Sequence, residues 1–292
     1  MYPAPFDYIA VESVDEAVSV LERHGDEAKV LAGGQSLIPL LKLRFASPRL
    51  LIDINRIPRL DALEHDGGVL KIGALVRHKD CERSSLLRSR YRVLGDTAPQ
   101  ISDPIVRNLG TVCGSVAHAD PQGDWGSALL AADAELVARG PAGERTIPLD
   151  QLFQGPFVTS LDPAEVVTQV RVPDPGPRSG GTYLKLERRV GDFATVGVAV
   201  HISLEGAQVR RAGIALTGVL PVNQRVAEAE EVLLGSELEE EAIGSAAELA
   251  SRAAQPNDDI RGSAQYKREV VRVFTARGLR IAAGAARGDG SS

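Results

Sequence analysis

The stretch AKVLAGGQSLIPLLKLR, from Ala28 to Arg44, passes from a short apolar run through two adjacent glycines into a second apolar run that carries a proline. Lys29 to Ala32 reads as a brief buried strand. Ser36 reads as the cap of a following helix, and Pro39 falls in its first turn, where a missing N–H costs no hydrogen bond. A strand that gives way to a helix at Gly33 and Gly34 leaves backbone N–H groups unpaired, and residues without a Cβ let an anion approach them. The flanking sequence alternates the same two signals. Ser13 with Glu16 three residues on is a capping box, Val14, Ala17, Val18 and Leu21 recur at helical spacing, and Gly25 stands where a helix over 14–24 would stop. LLIDI at 50–54 reads as another strand, so the first segment is a small β/α unit.

From about Pro58 a second α/β lobe is expected: GVLKIGALV at 68–76 as a strand, LLRSRYRVLGDTA at 86–98 as a helix, and AELVAR and EVVTQVRVP as later strands. PDPGPRSGG at 173–181 lacks periodicity and reads as a linker. TYLKLERR, FATVGVAVHISL and VRRAGIALTGVL then form three strand-like runs with turn signals between them, an antiparallel meander. Helices are expected near 224–235, 238–254 and 264–283, and a disordered end from about Gly284. The resulting division is 1–57, 58–176, 177–286 and a flexible tail at 287–292.

With 292 residues, 43% of them hydrophobic, the chain can bury a large core. Its 33 basic and 39 acidic residues are interspersed, for a net charge of −6, so no basic stripe offers itself to nucleic acid or anionic lipid. No apolar run approaches the roughly 20 residues of a membrane helix, the N-terminus lacks a signal-peptide pattern, and the cytoplasm is the expected location. Cys81 and Cys113 are the only cysteines and are far apart, which gives no disulfide framework, zinc site or iron–sulfur ligand set.

A second stretch, NLGTVCGSVAHADPQGDWG from Asn108 to Gly126, repeats the ingredients of the first, with Gly110 and Gly114 around Thr111 and Ser115. Two anion cradles suggest a ligand with two adjacent phosphates. Neither loop ends in Gly-Lys-Ser/Thr, and no G-x-G-x-x-G follows a strand, so a P-loop ATPase and a Rossmann nicotinamide domain are disfavoured. On loop chemistry alone, a Gly-Gly between strand and helix is most often a tight turn.

AGGQS and TVCGS occur together with KLR after the first, DPIVRNLGT before the second, AHADPQGD after it and YLKLERRVGDFA downstream. In this ordered set the chain resembles, over nearly its whole length, the FAD-binding medium subunit of molybdenum hydroxylases of the carbon monoxide dehydrogenase and xanthine dehydrogenase kind. The resemblance implies an α+β protein: a two-lobed FAD-binding domain of the vanillyl-alcohol-oxidase/PCMH type, then a three-stranded antiparallel sheet with a helical bundle. It implies FAD held in this chain between the two lobes, with both loops converging on its pyrophosphate: Ala32, Gly33, Gly34, Gln35, Ser36 and the following Leu37 from one, Thr111, Val112, Cys113, Gly114 and Ser115 from the other. Lys29 and Leu31 match further cofactor-lining positions, Ile101 an apolar position near the flavin ring, and Asp124 a carboxylate suited to sugar hydroxyls. Val167 and Lys185 match positions that close over the cofactor, Lys185 bringing a cation to the ring edge where reduction builds negative charge. No catalytic acid or base and no metal ligand is assigned to this chain. A large molybdenum subunit with the molybdopterin cofactor, a small subunit with two [2Fe-2S] clusters, a dimer of heterotrimers and an external electron acceptor are implied as partners.

The sequence departs from the family's usual pattern at Gln35, Cys113 and Ser115, where histidine, glycine and asparagine or aspartate are common, which bears on flavin tuning. Beside amide donors the Cys113 thiol could ionise and react, although a small packed side chain is the simpler reading. His118, Asp120 and Asp124 are of metal-ligating types, but a phosphate loop uses carboxylates on neighbouring hydroxyls and amides. Arg188, Arg189 and Asp192 read equally as a solvated turn or as a charge cluster facing the flavin or a partner. Two other functions remain open at this point: a stand-alone FAD oxidoreductase of the same fold, and an assembly protein that has lost the flavin.

Overall fold

The structure is a computed structural model that describes residues 2–288. The first lobe contains β1 (Asp7–Ala10), α1 (Val14–His24), β2 (Ala28–Leu31), α2 (Leu37–Leu43) and β3 (Leu50–Asp53). Its strands form a parallel sheet in the order β1-β3-β2, with Lys29 opposite Leu51 and Leu31 opposite Asp53. Parallel neighbours require crossover connections, and α1 and α2 supply the helices for them. The sequence-level boundaries of α1 hold: the Ser13 Oγ accepts the Glu16 N–H at 3.1 Å, while the Glu16 carboxylate reaches back to the Glu12 N–H at 2.9 Å. Ser36, by contrast, makes no side-chain cap on α2.

The second lobe contains β4 (Leu63–Asp66), β5 (Val69–Gly73), α3 (His78–Arg83), α4 (Ser85–Arg90), α5 (Arg92–Thr97), α6 (Pro104–Leu109), α7 (Val112–His118), α8 (Asp124–Ala131), β6 (Glu135–Gly140), β7 (Gly143–Pro148), β8 (Phe153–Gly155), β9 (Val158–Thr159) and β10 (Val166–Pro173). Five of its strands make an antiparallel sheet in the order β4-β5-β10-β6-β7. The helix expected over 86–98 is two helices, because Tyr91 leaves helical geometry at φ −113 and ψ 57. Its apolar periodicity survives the break, since Leu87, Val93 and Leu94 are all buried. One continuous apolar core joins Val18, Leu21 and Ile52 of the first lobe to Leu70, Ile72, Leu136 and Val170 of the second.

The C-terminal region consists of β11 (Ser179–Leu186), β12 (Val196–Glu205), β13 (Gln208–Thr217), β14 (Gln224–Arg225), α9 (Ala227–Glu231), α10 (Glu240–Ala253) and α11 (Ala264–Arg287). The expected three-stranded meander gains a fourth strand, since β14 pairs with β13 where the start of a helix was expected at 224. The linker expected at 173–181 is shorter than its composition suggests: Ser179, Gly180 and Gly181 already belong to β11. α11 continues through Gly284 to Arg287, which corrects the disorder expected from 284; the last four positions of the proposed tail, 289–292, lie outside the described residues.

The sheet is buried on both faces. Val196, Val198, Val200, Ile202 and Leu204 of β12 join the core with α10 and α11, while Ala199, with Tyr183 and Ala215 from the neighbouring strands, joins the core of the lobes. Alternation along a strand sends successive side chains to opposite faces, and here the lobe-facing side carries the smaller residues. That smallness lets α8 press directly onto β13: a Cβ added at Gly213 would collide with the Ala131 carbonyl oxygen and come within 2.8 Å of its carbon. Gly213→Ala therefore sets backbone against backbone, and a stability loss of about 1–3 kcal/mol is expected in urea or thermal unfolding.

Candidate functional site

A cleft of about 520 Å3 opens where the three parts of the chain meet. Lys29 through Leu37 line it from the first lobe; Ile101, the 110–118 segment, Gly123 to Trp125 and Leu161 with Glu165 to Val167 line it from the second; and Lys185 with Gly191 to Phe193 line it from the C-terminal region. Every residue assigned to the cofactor from the sequence lies on this surface except Val112, which is fully buried and donates its N–H to the Val76 carbonyl at 3.2 Å. The fold thus gathers the two glycine loops, separated by about 80 residues of sequence, into one cleft.

The first loop supplies the unpaired amides. Among the described residues, the N–H groups of Gly33, Gly34, Gln35, Ser36 and Leu37 donate to no backbone or side-chain acceptor, and all five residues line the cleft. Gly34 stands at φ +72, a conformation that residues with a Cβ rarely adopt, and this turns the chain so that α2 can start at Leu37. Successive unpaired amides of this kind form an anion-binding concavity. Gly33 leaves room for something other than a ligand: an added Cβ would collide with the Leu109 carbonyl oxygen and lie 2.8 Å from the Gly110 Cα. The glycine is what lets the two loops touch.

The second loop does not mirror the first. Its amides are largely satisfied from within, since the Thr111 Oγ1 accepts the Gly114 N–H at 3.1 Å and the Thr111 carbonyl accepts the Ser115 N–H at 3.0 Å. Two cradles of bare amides were expected; one is present, opposed by a capped helix start. The Cys113 thiol is buried, its Sγ lies 3.5 Å from the Ile72 carbonyl, and burial pushes it up to about 12, so it does not ionise at neutral pH.

A guanidinium clamp that sequence reading missed holds the loops in contact. Arg77 donates through Nη1 to the Leu109 carbonyl at 2.6 Å and through Nη2 to the Asn55 Oδ1 at 2.5 Å. Asn55 in turn donates through Nδ2 to the Ala32 carbonyl at 2.9 Å. Beneath Gly110 lies His78, whose Nδ1 accepts the Trp125 indole N–H at 3.0 Å. That bond requires an unprotonated Nδ1, and burial, with Arg107 and Arg77 nearby, lowers His78 to about 4.

At the other end of the cleft, Asp124 is buried with both oxygens engaged. Oδ1 accepts the Tyr183 hydroxyl at 2.6 Å and Oδ2 accepts the Lys185 Nζ at 2.9 Å. Burial raises the carboxyl above its ordinary range, against the pull of the Lys185 ammonium and the Tyr183 phenol in direct contact. Burial and the neighbouring Asp124 raise the Tyr183 phenol well above its usual range, so it stays a donor. Lys185 is therefore a paired cation. Asp124 is likewise paired within the protein, and no group of three ligating side chains gathers among the described residues. His118 packs against Phe157 at a ring separation of 5.1 Å. Arg188 and Asp192 approach to 3.6 Å with the arginine exposed, the solvated-turn alternative, although Asp192 also lines the cleft.

A two-residue period would have exposed the missed Tyr183: in YLKLE, Tyr183, Lys185 and Glu187 alternate onto one face of β11 and the turn after it. The chemistry of the cleft suits a dinucleotide. The amide run matches a diphosphate, Ile54, Ile101, Val106 and Val167 offer apolar walls for a ring, and hydroxyls and carbonyls lie between.

Residues 4–175 match the family described as the FAD binding domain in molybdopterin dehydrogenase, and residues 181–282 the CO dehydrogenase flavoprotein C-terminal domain. The chain is 41% identical over 282 residues to the carbon monoxide dehydrogenase medium chain of Hydrogenophaga pseudoflava, covering 97% of this chain and 98% of that one. It is 39% identical over 280 residues to the alpha subunit of the 6-hydroxypseudooxynicotine dehydrogenase complex of Paenarthrobacter nicotinovorans, covering 96% and 95%. A solved structure of carbon monoxide dehydrogenase from Hydrogenophaga pseudoflava superposes with a TM-score of 0.94 at 42% identity, covering 98% of this chain and 99% of that one.

Two outcomes test the site. Gly33→Ala forces the loops apart and should weaken dinucleotide binding at least tenfold in a fluorescence titration, with the fold retained by circular dichroism. His78 is neutral when folded but titrates near 6.5 when unfolded, so its contribution is complete above that value. It is lost as pH falls towards about 4, on the order of 3 kcal/mol in all. Thermal melts across that interval should show the decline, and emission from the chain's single tryptophan, Trp125, should change with it.

Proposed function

Because the chain belongs to the family of FAD-binding medium subunits of molybdenum hydroxylases, we propose that its cleft holds FAD with the pyrophosphate on the amides of Gly33 to Leu37. The residues that would bind it are Lys29, Leu31, Ala32 to Leu37, Ile101, Thr111, Cys113 to Ser115, Asp124, Val167 and Lys185; Val112 supports the second loop from below. When bound, FAD supplies the exchange of one or two electrons, and the polypeptide supplies binding, orientation and electrostatics. Residues 1–57 and 58–176 act as the two lobes that grip the cofactor, with 177–286 closing the flavin end through Lys185 and Phe193.

In the assembled enzyme, electrons reach this chain from two [2Fe-2S] clusters in a small subunit, having left substrate at a molybdopterin cofactor in a large one, and pass to an external acceptor. A dimer of such heterotrimers in the cytoplasm is the assembly proposed; no helix among the described residues is long and apolar enough to cross a membrane. Medium chains about equally similar to this one serve enzymes named for carbon monoxide and for 6-hydroxypseudooxynicotine, so substrate choice lies in another chain.

The observation that carries the reading is the run of five unpaired amides, Gly33 to Leu37, meeting the second loop in one cleft. It favours a flavin-bearing subunit over a flavin-free assembly protein, because the loop that departs from the family pattern still closes the cleft. The purified chain mixed with FAD should retain flavin absorbance after gel filtration and lose Trp125 emission by transfer to the flavin. Coexpression with the large and small subunits should return all three together. A chain that stays colourless in excess FAD sinks the proposal.

A further inference from the structure

We infer that a second cavity, bordered by the Asn55–Arg77 clamp and separate from the cleft, binds an anion that carries a diphosphate. It measures about 570 Å3, lies between the β3–β4 connection and the start of α3, and shares no lining residue with the cleft. The inference stands whether or not the cleft holds FAD.

Cations dominate the wall of this cavity, in a chain whose net charge is −6. Arg56 and Arg59 come from the connection, Arg77 and Lys79 from the start of α3, and the carboxylates on the same wall are Asp61 and Asp80. Among the described residues none of these four cations forms a salt bridge, whereas Arg90, Arg107, Arg145 and Arg171 of the same lobe are each paired. Asp80 is turned to the backbone, where its Oδ2 accepts the Arg77 N–H at 3.1 Å. The Arg56, Arg59 and Lys79 side chains donate to no acceptor among the described residues, although Lys79 is half-buried. The clamp uses one N–H from each Nη of Arg77 and leaves the rest of that guanidinium without a protein acceptor. Burial disfavours its charge, and only the more distant Asp80, Asp53 and Asp61 offset this.

The backbone adds an independent sign. Arg59 stands at φ +66, a left-handed conformation that a residue with a long side chain rarely adopts. Its neighbour holds it there: the Leu60 carbonyl accepts the Leu75 N–H at 2.7 Å and packs so closely on Gly73 that a Cβ at that glycine would collide with it. A strained residue fixed by its surroundings marks a place where side-chain direction matters. Guanidinium forks match pairs of phosphate oxygens, and an ammonium adds a point charge. Cations on two separate elements suit an anion with two charged groups, and a volume of this size admits a small metabolite.

The test titrates inorganic pyrophosphate into the full-length chain loaded with FAD, by calorimetry at fixed ionic strength. One saturable site is expected. Lys79→Gln should weaken it about tenfold, and Arg56→Gln and Arg59→Gln should weaken it in the same direction. Arg277→Gln, which removes an equal charge from the exposed side of α11, should leave it unchanged. Absence of saturable binding overturns the inference, as does an equal loss in Arg277→Gln or wild-type affinity in all three cavity variants. Should Lys79→Gln fail to fold, the two exposed arginines decide. A parallel titration with ADP separates the sources of the diphosphate: tighter binding than pyrophosphate assigns a nucleotide and equal or weaker binding the free anion, both of which uphold the site. A chain that takes up no FAD overturns the cofactor reading alone, since Arg56, Arg59 and Lys79 lie outside the cleft and the same variants still decide.

Discussion

The site depends on the meeting of the Leu109 carbonyl with the Cα of Gly33. That carbonyl also receives the Arg77 guanidinium, which reaches on to Asn55 and, through it, to Ala32. The junction therefore combines an absent side chain, which permits the approach, with charge-assisted hydrogen bonds, which hold it. The amides of Gly33 to Leu37 stay unpaired because the chain around them is fixed elsewhere: β2 lies in a parallel sheet and Gly34 turns in the left-handed region. Unpaired backbone donors are costly to bury. A stretch that leaves five of them open at the wall of a cleft suits an anionic occupant.

Much of this architecture is legible in the sequence. The strand, glycine pair and helix of 28–44 follow from local rules, and FATVGVAVHISL reads as one of the strands of the antiparallel sheet. What local rules could not supply was the partner of each residue. Gly33 reads as an opening for an anion, and only the fold reveals Leu109 against it. Lys185 reads as a cation for the ring edge, and only strand register places Tyr183 on the same face while α8 brings Asp124 to both. Arg77 gave no signal at all, because its role lies in spanning two lobes that pair only in three dimensions. The errors in element boundaries have similar causes: Tyr91 interrupts a helical period without disturbing its apolar face, and β14 forms because β13 offers an edge.

The glycine loops also show how one recurrent pattern serves unequal ends. AGGQS leaves its donors open, whereas TVCGS spends them on its own threonine and on the carbonyl of Val76. This accounts for the tolerance of a cysteine at position 113. Its side chain faces the apolar floor beside Ile72, and the change alters packing there without touching the open amides.

Helix α8 connects two events that look unrelated. Its first residue is Asp124, seated between Tyr183 and Lys185, and its last is Ala131, pressed on Gly213. The helix is a strut with both ends anchored in the C-terminal sheet, so that sheet cannot swing aside without dragging a wall of the cleft along.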